Sequence, residues 1–193
     1  ADRVKAGDIV IAMPSSGLHS NGYSLARHVL LTKLELNAHI DELGRTLGEE
    51  MLEPTRIYSL DCLSLARELG QSLHTFSHIT GGGIAANVAR VLPVDLAADI
   101  ESSAWNALPI FDLIAKLGDV SAHDMRKTFN MGIGMVAIVD AAAESQAIVY
   151  LKSRGINATA IGQVRTRREN ETGDAAAKGG KGGAVRVVGN YAN

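Results

Sequence analysis

Nine residues joining an apolar run to a helical pattern constrain this chain most. Asp8-Ile9-Val10-Ile11-Ala12-Met13 leads into Pro14-Ser15-Ser16-Gly17-Leu18-His19-Ser20-Asn21-Gly22, and the pattern Tyr23-Ser24-Leu25-Ala26-Arg27-His28-Val29-Leu30-Leu31 follows. That order brings the end of a buried strand and the start of a helix together, with hydroxyls, amides, glycines and one imidazole crowded between them. The first backbone N–H groups of a helix lack intrahelical acceptors and carry partial positive charge. Such a junction suits a phosphate or another anion; a simple helix cap is the plainer alternative.

A second junction of the same kind lies downstream. Leu73-His74-Thr75-Phe76-Ser77-His78-Ile79 alternates like a strand, runs into Thr80-Gly81-Gly82-Gly83, and continues as the helical run Ile84 to Leu92. Three consecutive glycines admit a ligand to the backbone with no Cβ in the way; a tight turn would also use them. Two such junctions in one small domain favour a ligand.

The spacing predicts strands at 8–13, 73–79, 94–101, 133–140, 157–165 and 184–189, and helices at 20–33, 56–70, 84–91, 106–117, 121–128 and 142–154. Alternation of this kind suggests a sheet covered by helices and, on spacing alone, a parallel one. At 193 residues, 46% apolar and 21% charged, the chain is one ordinary domain, 1–193, with enough core to fold. The net charge of -2 provides no field for nucleic acid, and 4% aromatics are too few for a base-stacking platform. No apolar run reaches the roughly 20 residues that span a membrane. Cys62 is the single cysteine; it excludes an internal disulfide, suits a reducing cytosol and reads as a small buried helical residue.

Residues 166–183 contain no large apolar side chain and read as a flexible Gly/Ala/Lys-rich hairpin insertion. The run Gly179-Gly180-Lys181-Gly182-Gly183 lacks the spacing and following helix of a phosphate loop. His74 and His78 would share one strand face roughly 13 Å apart, too far for one metal ion, and no metal site is expected elsewhere. Ser16 and His19 lack a nucleophile elbow and an orienting acid, so a serine hydrolase is not indicated.

Four stretches together resemble the family of phosphoribosylformylglycinamidine cyclo-ligase (aminoimidazole ribonucleotide synthetase): PSSGLHSNGYSL, LEPTRIY at Leu52 to Tyr58, ITGGGIAANVARVLP at Ile79 to Pro93, and FNMGIGMV at Phe129 to Val136. They stand in the family's order across Gly7 to Val164. The resemblance implies an α+β fold with a mixed β-sheet layered with helices, displacing the parallel expectation. It places the chain in the C-terminal half of a cytoplasmic enzyme of purine biosynthesis. The N-terminal ATP-binding domain, with its Asp-x-x-Gly-Thr-Lys-type motif, is not present; the opening Ala1-Asp2-Arg3 without methionine fits a piece of a longer protein. The full-length enzyme is expected to be a homodimer.

The resemblance also implies a chemistry. ATP phosphorylates the formyl oxygen of formylglycinamidine ribonucleotide, and an amidine nitrogen then attacks that carbon to close the imidazole ring. Magnesium neutralises the phosphoryl charge, held mainly by the other half. On this side of the cleft, His19 is expected as the catalytic group, donating a hydrogen bond or moving a proton; an ordering bond within the loop is its alternative role. Ser16, Gly17, Ser20, Asn21, Thr55, Arg56, Gly81, Gly82, Gly83 and Asn87 are expected to hold substrate or phosphate. A related superfamily enzyme is the runner-up (formylglycinamide ribonucleotide amidotransferase, selenophosphate synthetase or thiamine-phosphate kinase), and a non-catalytic phosphate-binding module is the third reading. Whether the fragment alone has activity is a separate question, and the expectation is that it does not.

Overall fold

The structure is a computed structural model that describes residues 2–191. Its elements run β1 (Ile9–Pro14), α1 (Tyr23–Leu31), β2 (His39–Ile40), β3 (Arg45–Thr46), α2 (Leu47–Met51), α3 (Ser59–Leu69), β4 (Leu73–His78), α4 (Gly83–Ala89), β5 (Leu96–Glu101), α5 (Pro109–Gly118), α6 (Ala122–Thr128), β6 (Ile133–Val139), α7 (Glu144–Ser153), β7 (Thr159–Thr166) and β8 (Ala184–Val188). Six strands form one sheet in the order β4-β6-β1-β7-β5-β8. All neighbours are antiparallel except β5 and β8, which are parallel. The sheet is therefore mixed, as the resemblance implied and spacing alone did not.

Alternation decides how the layers stack. In β1, Val10 and Ala12 enter one core, with Ile84 and Val88 of α4. Ile11 and Met13 enter the other, with Leu65 of α3 and Leu151 of α7. Because helices cover both faces, β1 reads as a continuous apolar run rather than alternating with polar residues. Each fully buried Val, Ile or Met contributes about 1.5–3 kcal/mol. A third core packs α1, α5 and α6 around Leu30, Phe111, Ile114 and Phe129.

Two local features differ from the sequence expectation. The register of β4 against β6 shifts between Leu73 and Thr75, so the regular alternation that would put His74 and His78 on one face is broken. His74 is buried, its Nδ1 hydrogen-bonded to Asp8 Oδ2 at 2.6 Å, whereas His78 is exposed. Residues 39–51 fold into the small β2–β3 hairpin and α2, which periodicity did not reveal. Thr46 and Glu49 form a capping box at its start.

The segment after β7 is not a hairpin. β7 and β8 flank β5, so residues 167–183 cross over the edge of the sheet. The crossing is tied down by Asp174 N–H to Val185 O at 2.8 Å, Lys178 N–H to Ala86 O at 3.0 Å and Gly183 N–H to Ala89 O at 3.0 Å, and its own Ala177 is buried. The segment lacks large apolar groups because its anchoring is done by backbone hydrogen bonds.

Candidate substrate and phosphate site

The first loop leaves the sheet where the register of β1 shifts between Met13 and Pro14. Asn130, buried three residues before β6, clamps it. Its Nδ2 donates to Gly17 O at 2.9 Å and Leu18 O at 3.2 Å; its Oδ1 accepts from Ser15 Oγ at 3.1 Å and Gly132 N–H at 2.8 Å. Asn130 was not among the expected residues. The available signal was a lone amide between Phe129 and Met131, immediately before an apolar strand.

His19 joins the first loop to the LEPTRIY segment. It is buried, in the left-handed region at φ 56°. Its Nε2 accepts from the Ser16 N–H at 3.1 Å and the Arg56 N–H at 3.4 Å. A nitrogen accepting two amides carries no proton, so the neutral ring is protonated at Nδ1, which is buried without a partner among the described residues. Burial, with the nearby charges of His78 and Arg56, lowers its pKa to about 4. At neutral pH His19 is thus an uncharged acceptor, and the arrangement favours the ordering role over proton transfer.

The other expected groups are engaged with one another. Ser16 Oγ donates to Pro54 O at 2.6 Å, and the Ser20 and Thr55 hydroxyls are 3.4 Å apart. Arg56 Nη1 donates to Pro14 O at 3.3 Å, and Tyr58 Oη to the same carbonyl at 2.8 Å. Asn21 Oδ1 accepts from Gly81 N–H at 2.9 Å, joining the first loop to the glycine loop. Three segments distant in sequence therefore meet in one place. A depression of about 460 Å³ opens between the first loop and the LEPTRIY segment, with His19, Ser20, Glu53 and Thr55 in its wall.

Two expected ligand residues have other work. Asn87 is fully buried; its Nδ2 donates to Gly83 O at 2.8 Å and Thr80 O at 3.0 Å, and its Oδ1 accepts from Thr80 Oγ1 at 3.1 Å. It holds the glycine loop from beneath instead of facing a ligand. Gly83 is also buried: its N–H donates to Thr80 O at 3.1 Å, and a Cβ there would lie 1.8 Å from Arg126 O. Gly81 has its N–H on Asn21. Gly82, at φ 100°, is the member whose N–H has no protein acceptor among the described residues.

The glycine loop fits phosphate chemistry, since Gly81 has open space around its Cβ position. Magnesium is a poorer fit. Glu50 and Glu53, the carboxylates beside Gly17, are both paired with Arg45, at 2.5 Å and 2.6 Å. A separate group, Asp8, His74 and Asp140, brings ligand-type atoms within 4.8 Å of one another. It lies at the far end of β1, and the Lys5 ammonium sits 2.7 Å from Asp140 Oδ2. Cys62 is half-buried, and burial pushes its thiol up to about 11, which disfavours the nucleophilic thiolate.

Comparison with known proteins agrees with the resemblance. Residues 5–174 match the model of the family described as AIR synthase related protein, C-terminal domain. A Streptomyces fradiae protein bearing the provisional name phosphoribosylformylglycinamidine cyclo-ligase is 48% identical over 191 residues, 98% of this chain and 100% of that protein. The phosphoribosylformylglycinamidine cyclo-ligase of Myxococcus xanthus is 46% identical over 171 residues, 88% of this chain and 49% of its own length. Among solved structures, Escherichia coli HypE, a hydrogenase maturation protein, superposes with a TM-score of 0.57 at 19% identity, over 98% of this chain and 49% of that one. Thiamine-monophosphate kinase from Stenotrophomonas maltophilia gives 0.55 at 15%, over 95% and 52%. These two show the shared fold alone. The chain spans about half the length of the longer relatives. Among the described residues, no helix is long and apolar enough to cross a membrane.

Proposed function

We propose that this chain, which belongs to the AIR synthase related C-terminal domain family, forms the substrate-side half of an ATP-dependent cyclo-ligase that converts formylglycinamidine ribonucleotide to aminoimidazole ribonucleotide. Relatives at 46–48% identity carry the cyclo-ligase name, whereas the kinase and hydrogenase-maturation neighbours stand at 15–19%. The observation that carries the reading is the mutual bonding of the three motif loops, through His19 to Arg56 and Asn21 to Gly81. A reaction that aligns two anionic partners needs such a pre-ordered surface.

In this reading Ser16, Gly17, Ser20, Asn21 and Thr55 shape the ribonucleotide wall, and Arg56, which has no carboxylate partner among the described residues, faces its phosphate. Gly81 and Gly82 admit a phosphoryl group to the backbone. His19 is a neutral clip between loops. ATP supplies the phosphoryl group that activates the formyl oxygen; it and magnesium would be held mainly by a second domain, in a homodimeric cytoplasmic enzyme.

The test fuses the chain behind the N-terminal part of the Myxococcus xanthus relative and supplies ATP, magnesium and formylglycinamidine ribonucleotide. We expect aminoimidazole ribonucleotide from the fusion and none from the chain alone. Turnover by the chain alone, or a folded fusion that binds substrate without turning it over, contradicts the reading.

A further inference from the structure

The crossing between β7 and β8 encloses a second cavity, of about 240 Å³, beside the glycine loop. Its lining combines Gly82 and Ala85, His123, Arg126 and Lys127 of α6, and Asp174 of the crossing. We propose that this cavity is an anion site for a phosphate group, free or carried on a small ester, and that α6 supplies its charge.

The charge balance is the first argument. Arg126 Nη1 donates to Val187 O at 3.2 Å and Nη2 to Gly189 O at 2.8 Å, and its guanidinium lies 5.3 Å from the centre of the Tyr191 ring. These partners are neutral; they fix the planar fork without cancelling its charge. Neither Arg126 nor Lys127 has a carboxylate within ion-pair distance among the described residues. Asp174, the single acid in the wall, accepts from Val187 N–H at 2.7 Å. The cavity holds two permanent cations, one imidazole and one carboxylate already engaged, so a bound anion gains net attraction.

The second argument is construction. Backbone bonds anchor the crossing on both sides of the cavity, and Lys178 Nζ donates to Thr80 Oγ1 at 2.8 Å and to Gly81 O at 3.1 Å. Arg126 O fits against Gly83, where a Cβ would lie 1.8 Å away, so α6 is seated on the glycine loop by contact. Gly82, with a left-handed φ and an N–H that has no protein acceptor among the described residues, supplies the backbone donor that such concavities use for oxyanions. None of His123, Arg126 and Lys127 belongs to the four motifs, but Gly82 does, so the site rests on the same glycine loop as the proposed function and extends it toward α6.

The test is titration of the ¹⁵N-labelled chain with inorganic phosphate, and separately with ribose 5-phosphate, following the amide signals of Gly82, Ala85 and Lys127. We expect saturable shifts at these residues. The exposed substitution Lys127→Glu should weaken binding about ten- to a hundredfold with unchanged circular dichroism; His123→Gln should weaken it less. Tighter binding of the ester than of phosphate identifies an ester as the occupant, and the reverse identifies free phosphate. Shifts that do not saturate, or equal affinity in wild type and Lys127→Glu, overturn the proposal; the cyclo-ligase reading is judged separately, by turnover of the fusion.

Discussion

His19 Nε2 accepts from the backbone N–H of Arg56 at 3.4 Å, across 37 residues of chain. The same nitrogen accepts from Ser16 N–H, so one buried ring closes the first loop on itself and onto the second. Removing the ring strands two amide donors and opens a void. His19→Ala should therefore destabilise the domain by about 2–4 kcal/mol. His19→Asn keeps an acceptor and tolerates a positive φ, and it should recover about half of that loss. Urea unfolding of both variants measures it; an Ala variant within experimental error of wild type would remove the clip.

The lowered pKa of His19 has a sign. The unfolded imidazole titrates near 6.5 and the folded one near 4, so between those values the unfolded state binds more protons. Stability from this group is fully present above pH 6.5 and is lost as pH falls toward 4. The shift corresponds to roughly 3 kcal/mol. Unfolding midpoints at pH 7.5 and 5.0 should differ less in His19→Asn than in wild type; equal pH dependence in the two would place the acid sensitivity elsewhere.

Gly134 is required by the same cluster. A Cβ on it would lie 2.0 Å from Tyr58 Oη and 2.6 Å from His19 Cε1. Gly134→Ala should cost at least about 3 kcal/mol or prevent folding. Gly155→Ala, whose Cβ meets nothing within 4 Å at φ 79°, should cost only the left-handed backbone penalty of about 1–2 kcal/mol. Thermal unfolding of the pair checks the contrast. Comparable losses would mean that packing around Tyr58 yields easily.

The large elements were legible because their signals are local. β1 shows five buried or half-buried apolar residues in succession, and Gly155 follows α7 where a helix end needs a left-handed residue. Sheet order was not legible: β1 pairs with β6 and β7, more than a hundred residues away, and periodicity contains no information about partners. The site was half legible. Its residue types stood out, but Asn87 and Asn21 look alike in sequence. One is buried beneath the glycine loop and the other reaches across to it. Asn130 stayed hidden because its partners, Ser15, Gly17 and Leu18, lie over a hundred residues upstream. The crossing at 167–183 misled for the opposite reason: composition records missing apolar bulk and is blind to backbone anchoring.

The most direct measurement is binding of formylglycinamidine ribonucleotide to the chain and to Gly81→Val, followed by amide chemical shifts. Gly81 has an ordinary φ and open space at its Cβ position, so the substitution should leave the fold and melting temperature nearly unchanged while intruding where a phosphoryl group approaches. The account predicts ligand-induced shifts gathered at Ser16, Asn21, Arg56 and Gly82 in wild type, and affinity at least about tenfold weaker in Gly81→Val. Shifts confined to residues outside these loops, or unchanged affinity in a folded Gly81→Val, would contradict it.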